Sequence, residues 1–463
     1  MKRIAVILII FTLLWSNSQA SAPQRNQATN HLYAALKQMT ASGYTMFGMA
    51  NALTLGYHNN LNEDIANSDI RDVVGDNPAF VESDFMWYSN PQFKQVDMEA
   101  MRQAHRRGAV VGYCWHMAGR LSHTFYINKG DTSDRELAAK IVSNPDRNTN
   151  ADLDWFLTQL DTTLIPVVRN LGFPLIFRPF HEMTGDWFWW GNQIGYETYR
   201  QLFRLTVDYL RQEGIRNLLY CWAPDGTADF GFYPGDAYVD ILGYDAYEPG
   251  IREGLPPEKV TAELTKLVDY ADRTEKIAAW TEVGLRTEAG AAQRAYPTLI
   301  PDFWTRYVWN AIKEHPQTAR IAWVMTWYNA DWHRDGSGHN FVPYAGMNLA
   351  GSDAARADFD RIYTDPRSLF ETQMPPLYAT ADSALFIRPI APMLRVGQTL
   401  NLLGGRICDW FLSTPHHWSS SDAEVATIDP STGKVTARQS GTAIVAVEST
   451  DGRRASARLT VID

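Results

Sequence analysis

Two short stretches of this chain each carry a glutamate in a setting where a carboxylic acid has a chemical use. The first is Phe177-Arg-Pro-Phe-His-Glu182-Met-Thr-Gly-Asp-Trp187-Phe-Trp-Trp190-Gly191. It places a carboxyl group beside a histidine, just after an apolar run and just before three tryptophans. Aromatic rings exclude water and raise the pKa of a nearby carboxyl, which then holds a proton near neutral pH. The same flat rings stack on the faces of sugars. The second stretch is Ile277-Ala-Ala-Trp280-Thr-Glu282-Val-Gly-Leu-Arg286. One protonated and one ionised carboxyl, facing each other across a glycosidic bond, are what its hydrolysis requires.

Both glutamates fall at the ends of apolar runs, and those runs recur. They cover residues 44–50, 79–86, 109–116, 174–182, 218–223, 239–247, 277–284 and 321–329. Between them the periodicity is helical, most clearly over 95–106, 152–171, 196–212, 257–273 and 303–314, and a further helix is predicted over 26–38. Eight strands alternating with helices predict a (β/α)8 barrel, an α/β fold. In such a barrel the chemistry sits at the C-terminal ends of the strands. Glu182 ends the fourth run and Glu282 lies near the end of the seventh, so they can converge across the barrel mouth. The long polar stretch 117–150 is expected to decorate that face.

Residues 364–384 contain Pro366, Pro375 and Pro376 and no clear periodicity, which predicts a linker. The pattern beyond is all-β. Runs over 442–447 and 456–462 flank Asp451-Gly452, a hairpin signal, and Asp429-Pro-Ser-Thr-Gly433 is a second turn. The expected organisation is a signal peptide over 1–20, a barrel over 21–365, a linker over 366–383 and a small β-sandwich over 384–463.

Composition narrows the function. Lys2-Arg3, an apolar run over 4–15 and Ser18-Gln-Ala20 form a secretory signal with its cleavage site, which predicts a secreted or periplasmic protein. Cleavage leaves 40 basic against 52 acidic residues, a net charge of −12. A phosphate backbone is a poor partner for such a chain, and a neutral polysaccharide a suitable one. No later segment is apolar and long enough to span a membrane. Cys114, Cys221 and Cys408 read as buried free thiols, and no residues have metal-ligand spacing. No cofactor is expected, and a monomer is the default for an enzyme working on a polymer.

The motif Arg178-Pro-x-His181-Glu182-Met-x-Gly-x-Trp187-Phe-Trp-Trp-Gly resembles glycoside hydrolase family 26, whose best-known members are β-mannanases. The resemblance runs from about residue 30 to about 365. It implies a barrel, a retaining double-displacement mechanism, Glu182 as acid/base and Glu282 as nucleophile. It implies that Arg178 and His181 flank and orient the acid/base. Trp187 would wall the subsite of the sugar under attack, and His116 would contact the substrate. Val239-Asp-Ile-Leu-Gly-Tyr-Asp245-Ala-Tyr247 matches the sixth strand, where the tyrosine bonds the nucleophile and the aspartate supports it. Trp327, in Val324-Met-Thr-Trp-Tyr-Asn, matches an aromatic platform, and Tyr328 stands where arginine is common. The family also holds lichenases and β-1,3-xylanases, so the fold alone leaves the sugar open. The tail, from His417-Trp-Ser-Ser-Ser-Asp-Ala-Glu-Val to Gly441-Thr-Ala-Ile, resembles the bacterial immunoglobulin-like group-2 domain, commonly a spacer or adhesive module. Trp418 is expected in its core.

Overall fold

A computed structural model of the chain describes residues 25–57, 64–127, 130–251, 254–285, 299–330, 340–378, 386–388, 391–405, 416–450 and 452–463. The expected signal segment and Cys408 lie outside these residues. Eight parallel strands form the first sheet: β1 (Thr45–Ala50), β2 (Phe80–Asp84), β3 (Val110–Cys114), β4 (Leu175–Arg178), β5 (Leu218–Trp222), β6 (Ile241–Leu242), β7 (Ile277–Ala278) and β8 (Trp323–Thr326). Their order is β7-β6-β5-β4-β3-β2-β1-β8. The sheet closes on itself between β7 and β8. The Trp280 N–H donates to the Trp323 carbonyl at 2.9 Å, and the Met325 N–H to the Trp280 carbonyl at 3.0 Å. The predicted (β/α)8 barrel is the fold.

Alternation along the strands sorts side chains into two cores. Phe80, Val110, Ile176, Cys221, Ile241, Ile277 and Trp323 share one buried cluster inside the barrel. Their neighbours Val81, Val111, Phe177, Leu242, Ala278 and Val324 belong to a second, packed against the helices. The interior is filled by a few large rings set against glycines. A Cβ on Gly112 would lie 2.8 Å from the Phe80 ring, and one on Gly48 at 3.0 Å. Cys114 and Cys221 are buried free thiols, as expected.

The predicted helices are present, with three differences of detail, one being that the helix expected over 303–314 runs as a π turn at Trp304–Trp309 before its α-helical end at Asn310–Lys313. The one expected from residue 95 starts at Pro91, because Asn90 caps it by accepting from the amides of Gln92 and Phe93. The one expected over 152–171 is interrupted by a π turn at Leu160–Leu164. That turn ends two residues before Pro166, whose missing N–H breaks the regular ladder. Part of the stretch read as a linker packs on the barrel. Ser368–Leu369 pairs in parallel with Thr45 and Met46, and the Phe370 ring stacks on Phe47 with centroids 5.4 Å apart. Residues 379–385 lie outside the described residues.

The tail is all-β. Met393–Arg395, Arg454–Ile462, Gly441–Ser449 and His416–Ser420 form one sheet, and Thr399–Asn401, Lys434–Ala437 and Ala426–Ile428 another. Trp418 is buried between them, and a Cβ on Gly433 would lie 2.7 Å from its ring. The Tyr44 hydroxyl, at the start of β1, donates to the Asn401 carbonyl and so ties tail to barrel.

Candidate active site

The chain leaves β4 through a sharp turn. Pro179 offers no N–H to continue the ladder, and Phe180 and Glu182 both adopt left-handed backbone angles, φ 50° and 55°. Such angles are costly for residues with a Cβ and survive only where surroundings enforce them. Here the Glu182 N–H donates to the Ala223 carbonyl at the end of β5, at 2.7 Å. The Tyr199 hydroxyl and the Trp190 indole hold the carbonyls of Phe180 and His181, at 3.0 and 2.8 Å. The turn lifts the Glu182 carboxyl over the mouth. Its Oε2 accepts from the Trp187 indole N–H at 2.8 Å. That indole folds back over Gly185, where a Cβ would sit 2.2 Å from the ring. Burial pushes the Glu182 pKa well up, the nearby charges of Asp225 and Glu282 push it further, and the indole bond opposes them.

Glu282 arrives by a different device. Strict alternation from Ile277 would turn residue 282 out of the barrel. The amides of Thr281 and Glu282 both approach the Tyr244 carbonyl, at 2.8 and 3.4 Å, so the strand bulges there. Both side chains then face inward. Thr281 donates to Asp245 Oδ1 at 2.6 Å. Glu282 Oε1 accepts from Arg178 at 2.6 Å, and its Oε2 from the Tyr247 hydroxyl at 2.5 Å.

Arg178 is fully buried and organises the floor of this site. Its guanidinium donates to both Glu82 oxygens, to Asp245 Oδ2 at 3.1 Å and to Glu282. Three carboxyls from β2, β6 and β7 therefore meet one cation. Burial raises the pKa of Asp245 and of Glu82, with Arg178 opposing it in both cases.

Above them runs a chain of imidazoles. His181 Nε2 lies 3.1 Å from His116 Nε2, and His116 Nδ1 lies 2.5 Å from Asp84 Oδ2. Burial, then Arg178 and His116, hold the His181 pKa well below the usual histidine value, so this ring is neutral. Among the described residues the His181 Nδ1 has no hydrogen-bond partner. The chain closes when His116 Nδ1–H donates to Asp84 and one of the two facing Nε2 atoms donates to the other. Burial alone would raise the Asp84 pKa, but His116 and the amides of Met86 and His116 outweigh it and hold it low. Trp327 stands edge-on to His116, ring centroids 5.4 Å apart.

Ligand atoms of Asp84, Cys114 and His116 lie within 4.8 Å of one another, the metal-like grouping among the described residues. Burial pushes the Cys114 thiol well up, so it is protonated as it stands. Within the grouping, Asp84 and His116 are hydrogen-bonded to each other.

All nine residues singled out from the sequence thus lie at the C-terminal ends of the strands. Direct contacts join Arg178, Asp245, Glu282 and Tyr247, and separately Glu182 with Trp187. The sequence reading missed Glu82 and Asp84. Their signal was present, since acids at alternate positions after Phe80 in a buried strand face inward with it. It also missed Asp225, the like charge beside Glu182.

The sequence profile described as Glycosyl hydrolase family 26 matches residues 21–336. A mannan endo-1,4-β-mannosidase of Bifidobacterium adolescentis is 27% identical over 77% of this chain and 36% of its own length. One from Thermothelomyces thermophilus is 30% identical over 56% and 50%. The chain thus spans a third to a half of these relatives. Among solved structures, the catalytic domain of a Bacillus sp. JAMB-750 endo-β-1,4-mannanase covers 78% of this chain and 97% of its own, at 26% identity and TM-score 0.65. A Cellulomonas fimi endo-β-1,4-mannanase variant shares the fold over 96% of this chain and all of its own, at 24% identity and TM-score 0.62. The motif, the closed barrel and the profile match over most of its length agree: the chain belongs to glycosyl hydrolase family 26.

Proposed function

We propose that the protein is a retaining β-mannanase that hydrolyses β-1,4-mannosidic bonds in mannan, galactomannan or glucomannan. The observation that carries this is the contrast between two carboxyls at one mouth. Glu282 is gripped on both oxygens by Arg178 and Tyr247, while Glu182 keeps a raised pKa beside Asp225. The names of the relatives support mannan as the polymer.

In this reading Glu282 attacks the anomeric carbon, with Tyr247 and Arg178 holding its carboxylate in line and Asp245 bracing the guanidinium. Protonated Glu182 gives its proton to the departing glycosidic oxygen. Esterification of Glu282 removes one of the charges that raise the Glu182 pKa, so Glu182 becomes a base. It takes a proton from water, which attacks the covalent mannosyl-enzyme and releases the sugar with its configuration kept. The two carboxyls of a retaining pair stand about 5–5.5 Å apart. His116 and His181 contact the sugar, Trp187 walls its subsite and Trp327 forms a platform. The steps call for no cofactor or metal. Export through the N-terminal signal, a monomeric state and an immunoglobulin-like spacer role for the tail belong to the same proposal.

A product time course on carob galactomannan and mannohexaose, beside barley β-glucan, tests it. Mixed oligosaccharides with a rapid fall in viscosity are expected. Mannobiose alone from the start would make the enzyme an exo-acting mannobiohydrolase. Glucose oligomers without mannan cleavage would overturn the substrate and make it a β-glucanase on this barrel, and xylan cleavage alone a xylanase.

A further inference from the structure

Beside the acid/base, and outside the contacts already described, lies an open pocket of about 480 Å³. That volume falls within the range of about 300–1,000 Å³ usual for small-molecule sites. Tyr196, Phe232, Asp229, Thr227, Asn192 and Thr184 line it. Its inner wall is continuous with the catalytic turn. Thr184 stands two residues after Glu182 and exchanges hydrogen bonds with the backbone of Asp225, at 2.7 and 2.8 Å. Asp225, also in the lining, is the residue whose charge raises the Glu182 pKa.

Tyr196 is unusual among the large apolar side chains of the described barrel in being 48% exposed. Its ring is nevertheless fixed. The hydroxyl donates to Asp229 Oδ2 at 2.9 Å, and Phe232 packs edge-on with centroids 4.6 Å apart. Gly231 lies against the ring so closely that a Cβ there would be 2.6 Å away. Asp229 is itself held by the Gly231 amide at 2.9 Å. A lone exposed aromatic is ordinary on a surface. One that is oriented on three sides, with hydroxyl, amide and carboxylate groups around it, is built as a platform for a ring that is apolar on its face and polar at its rim. A hexopyranose has that form.

Position gives the sugar its place. An acid that protonates the departing oxygen has the leaving group beside it. The pocket lies on the β4 and β5 loops next to Glu182, whereas His116 and Trp327 stand on β3 and β8. We propose that this pocket is a leaving-group subsite, in which Tyr196 stacks against a backbone hexose at least one unit beyond the sugar that Glu182 protonates. The inference rests on the mannanase reading above.

The test compares wild type with Tyr196→Ala on an aryl β-mannobioside, whose leaving group is no sugar, and on mannopentaose hydrolysed in ¹⁸O-water. Stacking of about 0.5–1.5 kcal/mol corresponds to a fall of roughly 2- to 12-fold in kcat/KM for cleavage modes with two or more leaving-group sugars. Bond choice should shift toward the reducing end, with the aryl rate unchanged and Tyr196→Phe restoring the wild-type pattern. An unchanged pentaose pattern in Tyr196→Ala would overturn the subsite. If Tyr196→Ala fails to fold, Thr227→Trp, which fills the pocket from an exposed position, must produce the same shift or the idea falls. Wild type inactive on both mannosides would instead defeat the mannanase reading itself.

Discussion

The two carboxyls at the barrel mouth are held in opposite ways. Glu282 sits on a bulged strand with a donor on each oxygen, one from the buried Arg178 and one from Tyr247. Glu182 sits on a strained turn with an indole donor on one oxygen and like charges nearby. The difference matches the two roles proposed for these positions. A nucleophile gains from being fixed, since a small misplacement of the reacting atom is costly in rate. An acid that must become a base gains from surroundings whose balance changes with the charge of its neighbour.

The contrast can be broken most directly at the glutamates. Glu282→Ala should lower kcat by about 10³-fold or more on every mannoside, since no covalent intermediate can form. Its melting temperature should hold or rise, because one of three carboxyls crowding a single guanidinium is gone. A clear fall in melting temperature would mean that Glu282 is there for the fold. Glu182→Ala should cost about 10²- to 10⁴-fold on polysaccharide. It should largely spare the first step on aryl mannosides, whose leaving groups need no proton. Equal losses on both substrates would erase the distinction drawn here.

Arg178→Ala comes next. It would strand Glu82, Asp245 and Glu282 without their cation, and breaking such a buried arrangement costs about 3–5 kcal/mol. Urea denaturation measures it. Tyr247→Phe removes the hydroxyl donor to the Glu282 carboxylate, so a loss of about 1.5–3 kcal/mol, roughly 10- to 150-fold in kcat, is expected.

The smallest effects are shifts of the pH profile. On the proposed mechanism Glu182 must be protonated to start the reaction, so kcat/KM should fall as pH rises through its raised pKa. Trp187→Phe removes the donor that opposes that rise, and should move the alkaline limb to higher pH. Asp225→Asn removes a like charge, and should move it to lower pH. Limbs that stay in place in both variants would assign the profile to another group.

How much of this was legible in the sequence differs between the same two corners. The β4 corner is nearly contiguous, so Arg178, His181, Glu182 and Trp187 fall in ten residues, and the proline that ends the strand and the glycine under Trp187 are visible among them. The β7 corner is not. Parity from Ile277 points residue 282 outward, and only a bulge, set by the Tyr244 carbonyl on the neighbouring strand, reverses it. Tertiary hydrogen bonding of that kind leaves little local trace, and the family motif had to supply what alternation could not. Glu82 escaped notice because a strand with acids at 82 and 84 reads poorly as buried until its cation is known to come from β4. The packing of 368–377 was hidden for a similar reason. A two-residue strand pairing with Thr45 has no period to detect.

The Arg178 contacts also bear on the order in which the molecule can assemble. The first half of the barrel, β1 to β4, contains the cation and Glu82. The second half, β5 to β8, contributes Asp245 and Glu282 and nothing from this network to neutralise them. A nascent second half would have to bury two carboxyls unaided, which desolvation forbids. The half that leaves the ribosome first is the one that carries the guanidinium, so the later strands meet their counterion already in place. A protein made as two separate halves should therefore recover its charge balance, and with it activity, only on mixing.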